Sequence, residues 1–253
     1  MTISTTKIVT CLNCKNTFQG SFCNDCGQKA ATHRFTMREW LHEIPHSLFH
    51  IDSGFFYTLK ALFLRPGNAV REYLEGRRKQ LFSPFLYVLI LCGVYVVISH
   101  FFENPAETAK PLELTNIKEA IKSVEEHYYK IIVVAMILPM TLASFLAYYK
   151  SGFNFAENLV LNAYLVGQLV IADLILILIA ATSFDENHPL VFKFVEPLLK
   201  YPYWFWFYWQ FFKPRKWSWG ILQFVISQII VNIALSALLV AAVLILIKIK
   251  GGH

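Results

Sequence analysis

Charge is scarce in this chain, and so are the short motifs that announce a reaction. Only 16% of its 253 residues are Asp, Glu, Lys or Arg, while 56% are hydrophobic and 16% aromatic. A soluble domain carries about a quarter of its residues charged and a smaller apolar share, so composition argues against a single soluble globule. No Gly-rich phosphate loop and no G-x-S-x-G elbow occurs, which removes the P-loop nucleotide hydrolases and the α/β-hydrolase type of serine enzyme. No internal sequence repeat and no low-complexity tract is visible, against a solenoid or a long disordered arm. Met1–Thr10 lacks the apolar core of a secretory signal, so the N-terminal head is expected to stay on the side where synthesis occurs. The net charge is +6. The basic residues flank apolar runs, so anionic lipid headgroups are the expected partner and nucleic acid is not.

Cysteine is rare as well, with five residues in all. Four of them crowd into residues 11–28, CLNCKNTFQGSFCNDCGQ; the fifth, Cys92, lies in an apolar run. In a reducing compartment such a cluster favours a metal over disulfides. Two C-x2-C knuckles offer the thiolates of Cys11, Cys14, Cys23 and Cys26, a tetrahedral set that suits structural Zn2+ and leaves no open position for catalysis. Asn13, Asn16, Gly20 and Gly27 permit the turns around the metal. A segment this short buries no core of its own, so metal binding would supply its folding energy, roughly 10–16 kcal/mol in zinc-finger peptides. Further on, His42-Glu43-Ile44-Pro45-His46 matches the H-E-x-x-H pattern of metalloproteases. That pattern needs a continuous helix, which Pro45 opposes. Thr36-x-x-Glu39 reads as a capping box for a short helix ending before Pro45.

Residues 52–84, DSGFFYTLKALFLRPGNAVREYLEGRRKQLFSP, organise the rest. Phe55, Phe56, Leu59, Leu62 and Phe63 share one helical face. Arg65-Pro66-Gly67 ends that helix, Asn68 is placed to cap a second one carrying Val70, Tyr73 and Leu74, and Gly76 is placed to end it. Arg77, Arg78 and Lys79 then precede the first apolar run, an arrangement expected to lie on an anionic membrane surface.

The C-x2-C pair ending in Phe22-Cys23-Asn24-Asp25-Cys26-Gly27-Gln28, together with Asp52-x-Gly54, Thr58, Leu62, Arg65-Pro66-Gly67, Tyr73, Gly76-Arg77-Arg78 and Pro84, resembles a family of bacterial zinc-ribbon-headed integral membrane proteins classed as a domain of unknown function. The resemblance runs over residues 11–90 and continues in Asn154-Phe155-Ala156-Glu157. Lys15 departs from it, standing where many such knuckles have Gly. The resemblance implies a multi-pass protein of the bacterial inner (cytoplasmic) membrane with its N-terminus cytoplasmic. It implies no activity and no catalytic residue.

Apolar runs place spans at about 85–102, 131–149, 159–182, 190–212 and 220–247, with Pro139 kinking the second. The fourth holds Lys193, Glu196, Pro197, Lys200 and Pro202 and ends in the aromatic stretch Tyr201–Phe212 beside Lys213, Arg215 and Lys216. Five spans put the basic loops on the head's side, as the positive-inside rule asks; four spans do not. Ile117, Ala120, Ile121 and Val124 place a short amphipathic helix in the acidic outer loop, with Lys122 and Glu126 paired. The expected fold is therefore an all-α membrane protein: a zinc ribbon at 1–31, a linker and interfacial amphipathic junction at 32–83, and a bundle of about five transmembrane helices over 84–253.

Polar residues inside the spans remain. Asp173 lies in the third with Asn162 and Gln168; Gln223, Gln228 and Asn232 lie in the fifth. An ionisable residue at depth marks function by default, against which stands a hydrogen bond or protonation that makes Asp173 interhelical glue. Glu196 is spaced to pair with Lys193 and Lys200. Glu157 suits the N-terminus of the third span, facing Arg77 or Arg78. The resulting expectation is a non-enzymatic membrane protein whose ribbon docks a protein partner or assembles the chain into a homo-oligomer. A transporter using the polar residues of the third and fifth spans is the alternative, and a metalloprotease on the HEIPH match a third.

Overall fold

A computed structural model of the chain describes residues 8–30, 32, 34–37, 54–102, 134–182 and 188–250. At the N-terminus two short strands, β1 (Ile8–Thr10) and β2 (Thr17–Gln19), pair antiparallel with Val9 opposite Phe18. The rest is mostly helical: α1 (Gly54–Leu64), α2 (Pro66–Leu74), α3 (Pro84–Phe102), α4 (Ile137–Ala147), a 3-10 turn (Tyr149–Ser151), α5 (Phe155–Thr182), α6 (His188–Phe212) and α7 (Trp217–Lys250).

The junction forms the two helices that its sequence pattern suggests, but its buried face and one cap differ: α1 buries Thr58, Ala61 and Leu62, while Phe56 and Phe63 of the expected apolar face are exposed. Pro66 stands at the first position of α2, where its missing amide hydrogen costs nothing. Arg65 occupies the cap position without a side-chain cap bond. Asn68 is therefore not the cap: it lies inside α2, its amide 3.5 Å from Gln210 Oε1 of α6. At the other end Gly76 adopts φ +106°. Its N–H reaches Tyr73 O at 3.1 Å and the Arg77 N–H reaches Glu72 O at 2.9 Å, the paired bonds of a Schellman ending.

Gly67 carries a second role that a helix-breaker reading misses. A Cβ built there would lie 2.3 Å from the Phe211 backbone nitrogen and 2.5 Å from the Phe207 carbonyl oxygen. The absent side chain lets α2 and α6 touch backbone to backbone. Arg71 reinforces the crossing by donating to Phe211 O at 2.6 Å. The residues Ala69, Val70, Tyr73 and Leu74 are buried in one core with Leu161, Tyr164, Phe207 and Phe211. The junction is thus packed into the end of the helical assembly.

The centre of that assembly is α5, which touches α1, α2, α3, α4 and α6. Gly167 lets α3 approach it, since a Cβ there would lie 2.6 Å from Tyr87. Pro139 falls in the first turn of α4, and the helical run is interrupted at Met136; a proline has no amide hydrogen for the carbonyl one turn back. Among the described residues two helices, α5 and α7, are long and apolar enough to cross a membrane. The expected five spans are not all present at that length: α4 has 11 residues, about 16 Å, and α6 carries Pro197 and Pro202 in its interior. The third apolar helix also starts earlier than expected, at Phe155. The outer-loop helix around Ile117–Val124, the Lys122–Glu126 pair and the Lys193 side chain lie outside the described residues.

Candidate metal centre

Each cysteine pair sits on a tight turn. In the first, Cys11 N–H bonds Asn16 O at 2.8 Å and Lys15 N–H bonds Cys11 O at 3.0 Å. In the second, Cys23 N–H bonds Gln28 O at 2.8 Å and Gly27 N–H bonds Cys23 O at 2.9 Å. The bridge between Phe22 and Lys29 repeats the Thr10–Thr17 pairing of β1 and β2. The two knuckles are one motif used twice, shifted by twelve positions: the paired C-x2-C spacing is visible in sequence, and the matching backbone bonds around it appear only in the structure. Gly27 turns with φ +72° and Lys15 with φ +65°. The knuckle imposes the left-handed conformation even where the chain supplies lysine.

These turns bring the four Sγ atoms to within 4.8 Å of one another. Cys11 to Cys26 and Cys14 to Cys23 are each 3.5 Å, and all four are free thiols. A tetrahedron with metal–sulfur bonds near 2.3 Å has sulfur–sulfur edges of about 3.8 Å. The cluster is close enough to hold one metal ion. Burial raises the Cys11 thiol, but the amides of Cys14 and Asn13 and the neighbouring thiols bring it down to about 7. At Cys14 the Asn16 amide lowers the pKa, yet burial and the other three sulfurs raise it to about 12. Without a cation the cluster resists full ionisation; a divalent ion removes that resistance.

The ribbon rests on the junction. Buried Gln28, one residue past the second knuckle's glycine, donates from Nε2 to Gly76 O at 2.7 Å. Leu12, between the first two cysteines, meets the bare face of Gly76, where a Cβ would lie 2.6 Å from Leu12 Cδ1. Behind the ribbon the chain is pinned again. Phe35 is fully buried against Tyr73, and its carbonyl accepts from Asn154 Nδ2 at 3.0 Å. Arg34 makes two bonds to Glu157, Nε to Oε1 at 2.7 Å and Nη2 to Oε2 at 2.8 Å, and a third to Gly152 O at 2.6 Å. Glu157 and Asn154 cap α5 reciprocally: Asn154 N–H donates to Glu157 Oε2 at 2.7 Å and Glu157 N–H to Asn154 Oδ1 at 2.8 Å. The pairing of Glu157 with Arg77 or Arg78 is therefore corrected to Arg34, whose guanidinium pKa is raised by its hydrogen bonds to that carboxylate.

Residues 52–96 match the model of a family described as protein of unknown function (DUF3667). The chain is similar to that family over the junction and most of α3, the stretch on which the ribbon and α6 both rest. The ribbon itself and α4–α7 lie outside the match. Neither curated proteins nor solved structures return a match.

The junction's basic triplet divides. Arg77 and Lys79 are exposed, and Arg77 lies 3.8 Å from Glu72. Arg78 is half-buried, its guanidinium 4.9 Å from the Phe35 ring centre and 5.8 Å from that of Tyr73. Asp173 lies deep on α5, about 24 Å along the axis from Glu157, so the two carboxylates form no common site. A partner comes from α6: Lys200 Nζ is 2.6 Å from Asp173 Oδ1 and 2.6 Å from Glu196 Oε1. The Glu196–Lys200 spacing is visible in sequence; the link to Asp173 needs the helix packing. A buried amide network was missed in the same way. Asn162 donates to Ser144 Oγ at 2.9 Å and accepts from Tyr208 OH at 2.6 Å, and Ser144 Oγ lies 2.9 Å from Asn158 Oδ1, joining α4, α5 and α6. The HEIPH residues lie outside the described part of the chain.

Proposed function

We propose that the chain is a non-enzymatic, multi-pass membrane protein whose N-terminal cysteine cluster is a structural zinc ribbon, held on the cytoplasmic end of a five-helix bundle as a docking or assembly module. The observation that carries the membrane reading is α7. Its apolar stretch Trp217–Ala242 has only 11% of its most hydrophobic window buried, and Ile221, Leu222, Val225, Ile229 and Ile233 are exposed. Such a surface is stable in hydrocarbon and costly in water. Helix α5 supports the same reading from inside the bundle, with 67% of its window buried.

The head-side loops support the topology. Arg34 reaches Gly152 before α5, and Arg71 reaches Phe211 at the end of α6, so the α4–α5 and α6–α7 connections gather near the ribbon as an alternating five-span path requires. Lys150, Lys213, Arg215 and Lys216 would then face anionic headgroups. Four cysteines saturate a tetrahedral ion, which favours a structural over a catalytic zinc. Lys200 neutralises Asp173 and weighs against an ion path there; the bond fits interhelical glue. The test is an alkaline carbonate wash of membranes from cells making the full chain. The protein is expected to stay in the pellet, and its quantitative release would overturn the reading.

A further inference from the structure

The face of α7 turned away from the bundle is not uniformly apolar. Its inner face is set by the buried residues Gln223, Ser227 and Val231, with Gln223 donating to Ala147 O of α4 at 3.0 Å. Gln228, Asn232 and Ser236 follow one another at successive turns and climb from the flank onto the outer face, where Asn232 and Ser236 are exposed between Val225, Ile229 and Val240. Asn232 spends one amide hydrogen on Gln228 O of its own helix at 2.8 Å. The Gln228 Nε2 beside it is buried without an acceptor among the described residues.

Asn232 sits about 22 Å from Trp217 and about 15 Å from Ala242 along the helix axis, which places it within a hydrocarbon core of about 30 Å. Lipid tails offer it no partner. A primary amide is donor and acceptor at once, so a parallel copy of the same helix, related by a two-fold axis along the membrane normal, satisfies both groups with the identical residue. Ser236, one turn away, keeps the backbones able to approach.

Resting on the membrane reading above, we propose that the outer face of α7 is a self-association surface, occupied by α7 of a second copy and registered by Asn232 and Ser236. The full chain, with Cys92 replaced by Ser and the four ribbon cysteines kept, is made in membranes with one cysteine added at Val225, Ile229, Asn232 or Ser236, or at Gln223 or Ser227 of the inner face, and oxidised beside the same chain with no added cysteine as background. Disulfide-linked dimers are expected at the outer positions and not at the inner ones. Asn232→Leu, benign on a lipid-facing surface, is expected to weaken self-association in detergent by about tenfold, and Asn232→Gln to restore most of it. The same membranes are washed with carbonate. Retention in the pellet without periodic cross-linking overturns this inference alone, whereas release by carbonate overturns the membrane reading with it. Cross-linking of position 232 to a cysteine placed in residues 103–133 of the same chain, in place of a second copy, also overturns it.

Discussion

Lys15 holds, in the first knuckle, the place that Gly27 holds in the second, and both residues turn left-handed. A side chain there costs about 1–2 kcal/mol, so the ribbon tolerates a strained residue because the surrounding cysteine turn over-determines it. A metal held by the four thiolates would reinforce that determination. Purified protein is expected to carry about one equivalent of zinc, and the Cys23→Ser, Cys26→Ser double variant to lose it. Metal analysis decides this, and full retention by the double variant would falsify the four-cysteine site. The four-cysteine cluster was legible because chelation needs a fixed residue type at a fixed spacing. Gln28 and Leu12 were not, since their partner Gly76 is remote in sequence and has no side chain to suggest a contact.

Helix contacts follow the same division between what pattern reveals and what packing reveals. Gly67 reads locally as punctuation, yet its place against Phe207 and Phe211 makes it the point where α2 crosses α6. Gly67→Ala is expected to destabilise the protein by about 1–3 kcal/mol or more, read as a drop in thermal midpoint in detergent. Gly93→Ala is the control, because a Cβ there meets nothing within 4 Å and alanine favours helix; a similar loss in both variants would remove the crossing argument. The α5–α6 contact has its own test. Lys200→Met removes the ammonium that Asp173 and Glu196 share and is expected to cost about 3–5 kcal/mol. Adding Asp173→Leu should recover much of that loss. If the double variant is no more stable than Lys200→Met alone, the glue role is wrong.

The whole molecule reads as one construction: the ribbon leans on the junction, the junction on α5 and α6, and α7 presents its outer face to the surroundings. Under the proposed membrane reading, whether the basic loops share the ribbon's side is a property of the entire chain. In a chain lacking the native cysteines, Gly251→Cys is expected to react with an impermeant thiol reagent applied from outside, and Ser218→Cys is not. The reverse pattern would replace five spans with four, because residues 190–212 would then lie along the outer surface.

Amino-acid order alone determined the features whose physics is local. The cysteine knuckles need only short turns, the apolar runs need only length, the ends of α1 and α2 need only Pro66 and Gly76, and Glu157 at the start of α5 needs only the helix end it caps. Tertiary structure decided the pairings. Arg34, more than a hundred residues earlier in the chain, took Glu157 in place of Arg77 or Arg78, and Lys200 took Asp173, because charges find partners by distance in space and not by spacing along the chain. It also decided that the junction packs inward on α6 through Gly67, and that α1 buries Thr58, Ala61 and Leu62 while Phe56 and Phe63 of its apolar pattern stay exposed: a pattern names an apolar face, and only the assembled helices specify which part of it is buried and against what.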